Sequence, residues 1–349
     1  MVSILLLAKA AGKIPRMQSE KTLTIGIPCY NEALTIGKVV ADFRCLFLQA
    51  RILVIDNAST DGTCDIAKQH GAEVIKESRR GKGNAVQRLF REAKSDYLII
   101  VDGDDTYPAE EALKLIAAVE MEGGDTVVGR RISNDQAAFK TMHTWANNLL
   151  ACLIEAIFHA KVGDLFSGFR LFTKPFYRSI PVLATGFEVE AELALQTIDK
   201  GFVQRDVVIN FRRRPEGSFS KLDTVHDGFR VLWVIFLIVK DFKPLLFFSA
   251  IGGILLAFSL AAGALPMLDY VKYRYVYHVP LSILATGLTV LAALSLTCGL
   301  ILDTIVRYSR EQFFIHMRNF RELSETPMDV KHLGCSPKVE PGGMRVGGA

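Results

Sequence analysis

The chain has six cysteines, and no two of them stand in a C-x-x-C arrangement: Cys29, Cys45, Cys64, Cys152, Cys298 and Cys335 are scattered over 349 residues. Such spacing offers neither a zinc site nor a redox dithiol, and the six read as free thiols facing a reducing compartment. Charge of one sign is also scarce, because 41 lysines and arginines are set against 37 aspartates and glutamates for a net charge of +4. A nucleic-acid binder would carry a dense basic stripe, so nucleic acid is excluded as a partner. No basic residue precedes the short apolar stretch 2–8. Lys9, Lys13 and Arg16 follow it instead, the reverse of a secretory signal. The leader 1–21 is expected to be disordered, with Met17 as an alternative start. Apolar residues, by contrast, are plentiful: they make up 50% of the chain, with a mean hydropathy of +0.25, which is high for a water-soluble enzyme. Part of the chain should therefore meet lipid.

From residue 22 to about 129, strand-like runs (23–28, 52–56, 73–76, 97–101, 126–128) alternate with helix-like ones (35–48, 61–70, 84–93, 110–122). This alternation predicts an α/β domain with a mostly parallel sheet, helices on both faces and ligands gathered beyond the carboxyl ends of the strands. Further on, apolar residues recur every three or four positions over 139–157, and 188–200 is closed by Gly201, so both read as helices. Residues 202–211 read as a strand running into Arg212, Arg213 and Arg214, a basic triplet that is either a solvated turn or a phosphate contact. The catalytic domain is expected to cover 22–222.

The last third changes character. Residues 245–265 and 281–302 contain no charged side chain, and each is close to the ~20 residues that cross a bilayer. They predict two transmembrane helices in a hairpin, preceded by an interfacial helix over 223–243. Lys240, Lys243, Arg307 and Arg310 flank the pair outside, against Lys272 and Arg274 in the loop, a bias that places the catalytic domain and both termini in the cytoplasm. An amphipathic helix from 303 to about 323 and a disordered tail to 349 complete the expectation.

Two strands end in aspartate. Residues 97–101 run into Asp102, Gly103, Asp104 and Asp105, a carboxylate cluster suited to Mg²⁺ or Mn²⁺ bridging to a substrate diphosphate, although an Asp-capped turn has the same appearance. Asp56 closes the second strand, where an acid can accept a hydrogen bond from a base or sugar, while Asp61 reads as the cap of the following helix. The turn Pro28, Cys29, Tyr30, Asn31, Glu32 offers an aromatic face and a carboxylate. The loop Arg79, Arg80, Gly81, Lys82, Gly83, Asn84 pairs glycines with cations and would let a phosphate approach, but it lacks the G-x-x-x-x-G-K-[ST] spacing of a P-loop ATPase.

Taken in order, the segments IPCYNE, DNASTDGT, RGKGNAV and DGDDTYP resemble the GT-A glycosyltransferases of family 2. More narrowly, VVGRR, DLFSGFRLF, TGFEVEAEL and RPEGSFSKL, followed by an apolar helix pair, look like the polyprenyl-phosphate glycosyltransferases, relatives of dolichyl-phosphate mannose synthase. The resemblance covers roughly residues 22–302. It implies a GT-A fold and transfer of a hexose, mannose or glucose, from a GDP- or UDP-sugar to dolichyl or undecaprenyl phosphate, with inversion. By the same resemblance Pro28, Tyr30, Glu32, Asp56 and Lys82 hold the nucleotide, and Asp102 and Asp104 bind Mg²⁺ or Mn²⁺. Arg131 and Arg170 would face the acceptor phosphate, with Arg213, Ser220 and Lys221 nearer the membrane. The counterpart of Asp164 is often treated as a base. A lipid phosphate with a second pKa near ~6 is already largely ionised, however, so Asp164 reads as an orienting residue or metal contact. Thr106 stands where the synthases often carry a glutamine, which leaves the metal's third contact open.

A processive polysaccharide synthase on the same fold is the nearest rival. Neither Trp145 nor Trp233 lies in the Q-x-x-R-W segment such synthases carry, and two spans are too few for a polymer channel. A non-catalytic membrane-anchored nucleotide-binding scaffold, or a flippase subunit, would not need the intact acidic cluster, and no charge inside either span marks a transport path. A homo-oligomer is compatible with all of these readings.

Overall fold

Strands whose residues are apolar on both faces need cover on both sides, and the chain supplies it in alternation. The structure, a computed structural model, describes residues 21–132, 154–155, 163–186, 188–215, 236–237 and 239–325. Within them run β1 (Leu23–Cys29), α1 (Ile36–Leu46), β2 (Arg51–Asp56), α2 (Thr63–Gln69), β3 (Glu73–Lys76), α3 (Lys82–Glu92), β4 (Tyr97–Ile100), α4 (Ala112–Glu122) and β5 (Thr126–Ile132). After these come β6 (Arg170–Thr173), α5 (Lys174–Ser179), α6 (Val189–Asp199), β7 (Gln204–Asn210), α7 (Pro244–Tyr273) and α8 (Val279–Glu325).

The seven strands form one sheet in the order β3-β2-β1-β4-β6-β5-β7. All seven residues of β1 are buried. On one side Ile25, Ile27, Ile52, Val54 and Ile99 pack against Ile36, Val40 and Phe43 of α1 and Leu115 and Val119 of α4. On the other, Leu53, Ile55, Leu98 and Ile100 meet Val86, Leu89 and Phe90 of α3 together with Phe176 and Leu193. Sequence periodicity located these elements to within a few residues.

It did not foresee β6. This four-residue strand inserts antiparallel between β4 and β5, with Ile100 and Val128 both registered on Arg170. Four residues are too few to show a period, and only the edges left open by β4 and β5 decide their conformation. The sheet is therefore mostly parallel with one reversed strand, and the reversal brings the start of β6 to the carboxyl end of β4. The expected helix over 139–157 (residues 154 and 155 excepted), most of 223–243, the leader up to residue 20 and the tail after 325 lie outside the described residues.

Both C-terminal helices outrun their expected limits. α7 continues through Pro266 to Tyr273, and it turns only at Arg274, whose backbone is left-handed at φ 56°. A proline costs an internal helix one hydrogen bond, which apolar membrane helices tolerate where neighbouring groups compensate. α8 passes 302 without a break to Glu325, so the separate amphipathic helix expected after 303 is its continuation. No glycine or proline lies between 303 and 325 to end it. The two helices are antiparallel neighbours: Ser259 Oγ donates to the Ala285 carbonyl at 2.7 Å, and Ser295 Oγ donates to that of Phe248 at 2.9 Å. Their most apolar windows have mean hydropathies of 2.3 and 2.0, with only 11% of each buried within the chain. This is not the core of a water-soluble globule, and both helices are long and apolar enough to cross a bilayer.

Candidate active site

The carboxyl ends of β1, β2 and β4 meet at one rim, where hydrogen bonds knit the loops together. Asn57 donates its backbone N–H to the Cys29 carbonyl at 2.8 Å. Its side chain donates to the Arg79 carbonyl at 2.7 Å and accepts from the Gly81 N–H at 2.7 Å, so one residue after β2 fixes the loop after β3. In the β1 turn, the Asn31 N–H donates to Ser59 Oγ at 3.0 Å and that of Glu32 to Thr63 Oγ1 at 2.9 Å. Asp61 accepts from the N–H groups of Ala33 and Thr63, both at 3.1 Å, so from one position before the cap residue Gly62 it satisfies the first N–H of α2, as expected, and also ties that helix end to the β1 turn. Asp56 is buried at the rim and accepts from the Ser59 N–H at 3.3 Å. Pro28 and Tyr30 stand at the end of β1, with the Arg80 guanidinium 5.6 Å from the Tyr30 ring.

The glycines of the RGKGNAV loop make room for protein and not for phosphate. A Cβ on Gly81 would collide with the carbonyl of Thr185, and one on Gly83 with that of Ala184. The Gly83 N–H donates to the Thr185 and Gly186 carbonyls at 3.0 and 3.1 Å. A methyl group there cannot fit without moving backbone. Gly83→Ala should therefore cost about 1–3 kcal/mol, the usual penalty of overpacking, read as a lower thermal midpoint of the purified protein.

The same close packing delivers Lys82 to the centre. Its ammonium lies 2.6 Å from Asp102 Oδ1 and 2.6 Å from Glu190 Oε1, the latter on the first turn of α6. Burial pushes the Lys82 pKa down, but the two carboxylates outweigh it and hold the amine above its ordinary range. Gly168 leaves space for Asp102, since a Cβ there would strike that carboxylate.

Asp104 is buried. Its Oδ1 accepts from Thr106 Oγ1 at 2.6 Å and from the Thr106 N–H at 3.2 Å, while Oδ2 lies 2.6 Å from Arg214 Nη2. Asp105, with φ 58°, turns away to pair with Lys38 at 2.6 Å. Among the described residues no group of three or more His, Cys, Asp or Glu could hold a metal. Asp102 and Asp104 are two hard oxygen donors, each paired with a cation, and two carboxylates completed by substrate oxygens and water are what Mg²⁺ or Mn²⁺ takes at a diphosphate. On that chemistry the residues fit such an ion.

Beside them Arg131 and Asp164 form a two-pronged ion pair, Nε to Oδ2 at 2.7 Å and Nη2 to Oδ1 at 2.9 Å. The guanidinium also lies 5.5 Å from the Phe211 ring. Tyr107 closes the wall, its hydroxyl accepting from the Gly168 N–H at 3.2 Å, and burial pushes its pKa up to about 12. Arg170 departs from the expected phosphate contact. It is buried, and its guanidinium donates to the carbonyls of Ser167 at 2.9 Å and Leu165 at 2.7 Å, so it braces the loop that carries Asp164. Arg213 is exposed, and Ser220 and Lys221 lie outside the described residues.

The sequence singles out neither Glu190 nor Tyr107, and it marks Arg214 only within a basic triplet read as a turn or a phosphate contact, whereas the structure pairs it with Asp104. All three stand inside segments whose pattern was noticed, but their roles depend on partners distant in sequence, and no local signal identifies those.

Comparison with known proteins gives a consistent picture. The model of the family described as glycosyl transferase family 2 matches residues 24–180. The glycosyltransferase AglJ of Haloferax volcanii is 30% identical over 313 residues, which is 88% of this chain and 100% of that protein. A dolichyl-phosphate hexose transferase of the same organism is 30% identical over 208 residues, 59% of this chain and 89% of the relative. Among solved structures, glucosyl-3-phosphoglycerate synthase from Mycobacterium tuberculosis, crystallised with Mn²⁺, UDP and phosphoglyceric acid, superposes with a TM-score of 0.54. It is 21% identical, covering 66% of this chain and 81% of that one. At that identity the likeness is one of fold.

Proposed function

Because the chain belongs to glycosyltransferase family 2 and is a glycosyltransferase of GT-A fold, we propose that it moves one hexose, with inversion, from a nucleoside diphosphate sugar to a polyprenyl phosphate. One juxtaposition carries the reading. The domain with the acidic rim packs against both outer ends of an apolar helix pair, through Phe242 before α7 and Phe313 in α8. A water-soluble acceptor would need no such anchor. The dolichyl-phosphate hexose transferase among the relatives supports the same acceptor class. Because both ends of the hairpin lie on the catalytic side, the basic residues Lys240, Lys243, Arg307 and Arg310 flank it there, which favours a cytoplasmic catalytic domain.

On this reading the rim from Pro28 to Glu32 and Asp56 receives the nucleoside, while Asp102 and Asp104 would hold Mg²⁺ or Mn²⁺. When bound, such an ion neutralises charge on the departing nucleoside diphosphate. Lys82 holds the Asp102 carboxylate in place through their 2.6 Å ion pair. The lipid phosphate, with its second pKa near ~6, is already anionic and attacks the anomeric carbon from the face opposite the leaving group. Repulsion between two anions is then the main obstacle. The guanidinium of Arg131 suits a phosphate, and Asp164, by taking its Nε and Nη2 edge, fixes where the Nη1 side points.

Asp164 therefore acts through Arg131, since both of its oxygens already accept from that guanidinium. Asp164→Asn is expected to lose about 10²-fold in rate, on the scale of a misplaced reacting group, yet to keep a flat profile above pH 7. A lost titration between wild type and variant would restore the general-base role. The reading as a whole is tested by incubating the purified protein with Mg²⁺ or Mn²⁺, a short polyprenyl phosphate and a panel of radiolabelled GDP- and UDP-sugars. Label extracted into organic solvent names the donor. No extractable label with any donor overturns the proposal.

A further inference from the structure

A helix that leaves a bilayer has no fixed bearing on the domain beside it unless something grips it. With hydrocarbon about 30 Å thick, the apolar part of α8 is spent near residue 302, and about 35 Å of helix remains on the catalytic side. That remainder is gripped. Arg310 Nη2 lies 2.6 Å from Asp199 Oδ1, whose side chain is only 5% exposed, and donates to the Phe242 carbonyl at 3.4 Å. Lys200 Nζ lies 3.3 Å from the other oxygen of Asp199 and 5.1 Å from the centre of the Phe313 ring. Phe313 in turn meets Phe202 edge-on at 5.9 Å, and Phe202 meets Phe176 of the core at 5.0 Å.

Asp199 is the last residue of α6, and the first turn of the same helix carries Glu190, which holds Lys82 against Asp102. Ala191, Ala194 and Leu195 of α6 also pack on Leu165, the neighbour of Asp164, and Phe242 joins that cluster. One helix thus runs from the membrane anchor to the reaction centre.

Resting on the function proposed above, we infer that Arg310 is a positioning residue: by clasping Asp199 it sets the height and tilt of the catalytic rim over the bilayer, so that the phosphate of an embedded lipid reaches Arg131. A short acceptor in free solution diffuses to the rim at any tilt. A phosphate tethered at the interface cannot follow, and a displacement of about 1 Å can cost about 10²-fold in rate. If the clasp served only to keep the end of α8 folded, both acceptors would suffer alike.

The full-length protein in lipid nanodiscs is assayed with a long-chain polyprenyl phosphate in the bilayer, and in detergent with a short water-soluble analogue, using the donor the label experiment selects. Arg310→Ala should lower kcat/KM for the embedded acceptor at least about tenfold, leaving the short acceptor and donor affinity near wild type. Arg310→Lys should recover most of the loss. Phe313→Ala loosens the same joint without touching the ion pair and gives the same split, so the test survives if one variant fails to fold. Equal losses with both acceptors, or no loss with either, overturn the inference. If the wild type transfers sugar to neither acceptor, the functional reading falls and takes this one with it.

Discussion

Asp104→Ala is expected to abolish sugar transfer while the protein stays folded and in the membrane fraction. Even a partner one shell removed from a metal typically costs about 10–100-fold, so on the proposed role of Asp104 as a ligand its loss should exceed about 10³-fold. The buried carboxylate has no substitute in reach: Thr106 accepts and donates only as a hydroxyl, and Arg214 carries the wrong charge. Its neighbour gives the control. Asp105→Asn keeps the left-handed backbone that asparagine tolerates and loses only the ion pair to Lys38, whose side chain is 53% exposed, so its activity should fall little. Transfer by Asp104→Ala at the wild-type rate in the presence of a chelator would remove the metal from the reading.

The second large effect is expected at Lys82. Lys82→Met would leave Asp102 and Glu190 facing each other with no cation between them, and stranding buried charge in this way costs about 3–5 kcal/mol. The thermal midpoint should drop and nucleotide binding should weaken together. Adding Glu190→Leu to Lys82→Met removes one stranded charge, and it should recover much of the stability without recovering activity, a coupling that a double-mutant cycle measures directly. The sign of the pH dependence follows from the raised pKa of Lys82. Its contribution is fully present below the ~10.4 of a free lysine, and it is lost only as pH climbs through the higher folded value. Stability from this pair is therefore level across the physiological range. An unchanged midpoint in Lys82→Met would show that the three-way bridge contributes nothing.

The acidic rim at the strand ends was legible because its signals are local. Asp56 and Asp102 each close a run of apolar residues that alternates with helix-like segments and so reads as a buried strand, and a strand's end in a parallel sheet is a rim whatever the sequence beyond it. The two arginines beside it were legible in content and not in arrangement. Arg131 and Arg170 are both arginines in distinctive segments, yet one grips Asp164 near the rim and the other is turned inward onto two carbonyls. Nothing along the chain separates these fates, because they depend on a four-residue strand too short to announce itself. The glycines of the Arg79–Asn84 loop misled for a related reason. Sequence shows that backbone must come close to something, and only the fold shows that this is Ala184 and Thr185.

The reversed strand has a further consequence, for the order in which the molecule can be assembled on the ribosome. β1, β2 and β3 pair only within the group β1 to β4, along the N-terminal half of the sheet, and enclose modest stretches of chain, so this ladder can close early at small entropic cost. β6 must wait until the segment after β5 has been synthesised, and it then slots between two strands already made. The acidic rim is thus expected to exist as a nascent platform before Asp164 and Arg170 arrive beside it, with the two long apolar helices emerging last of all.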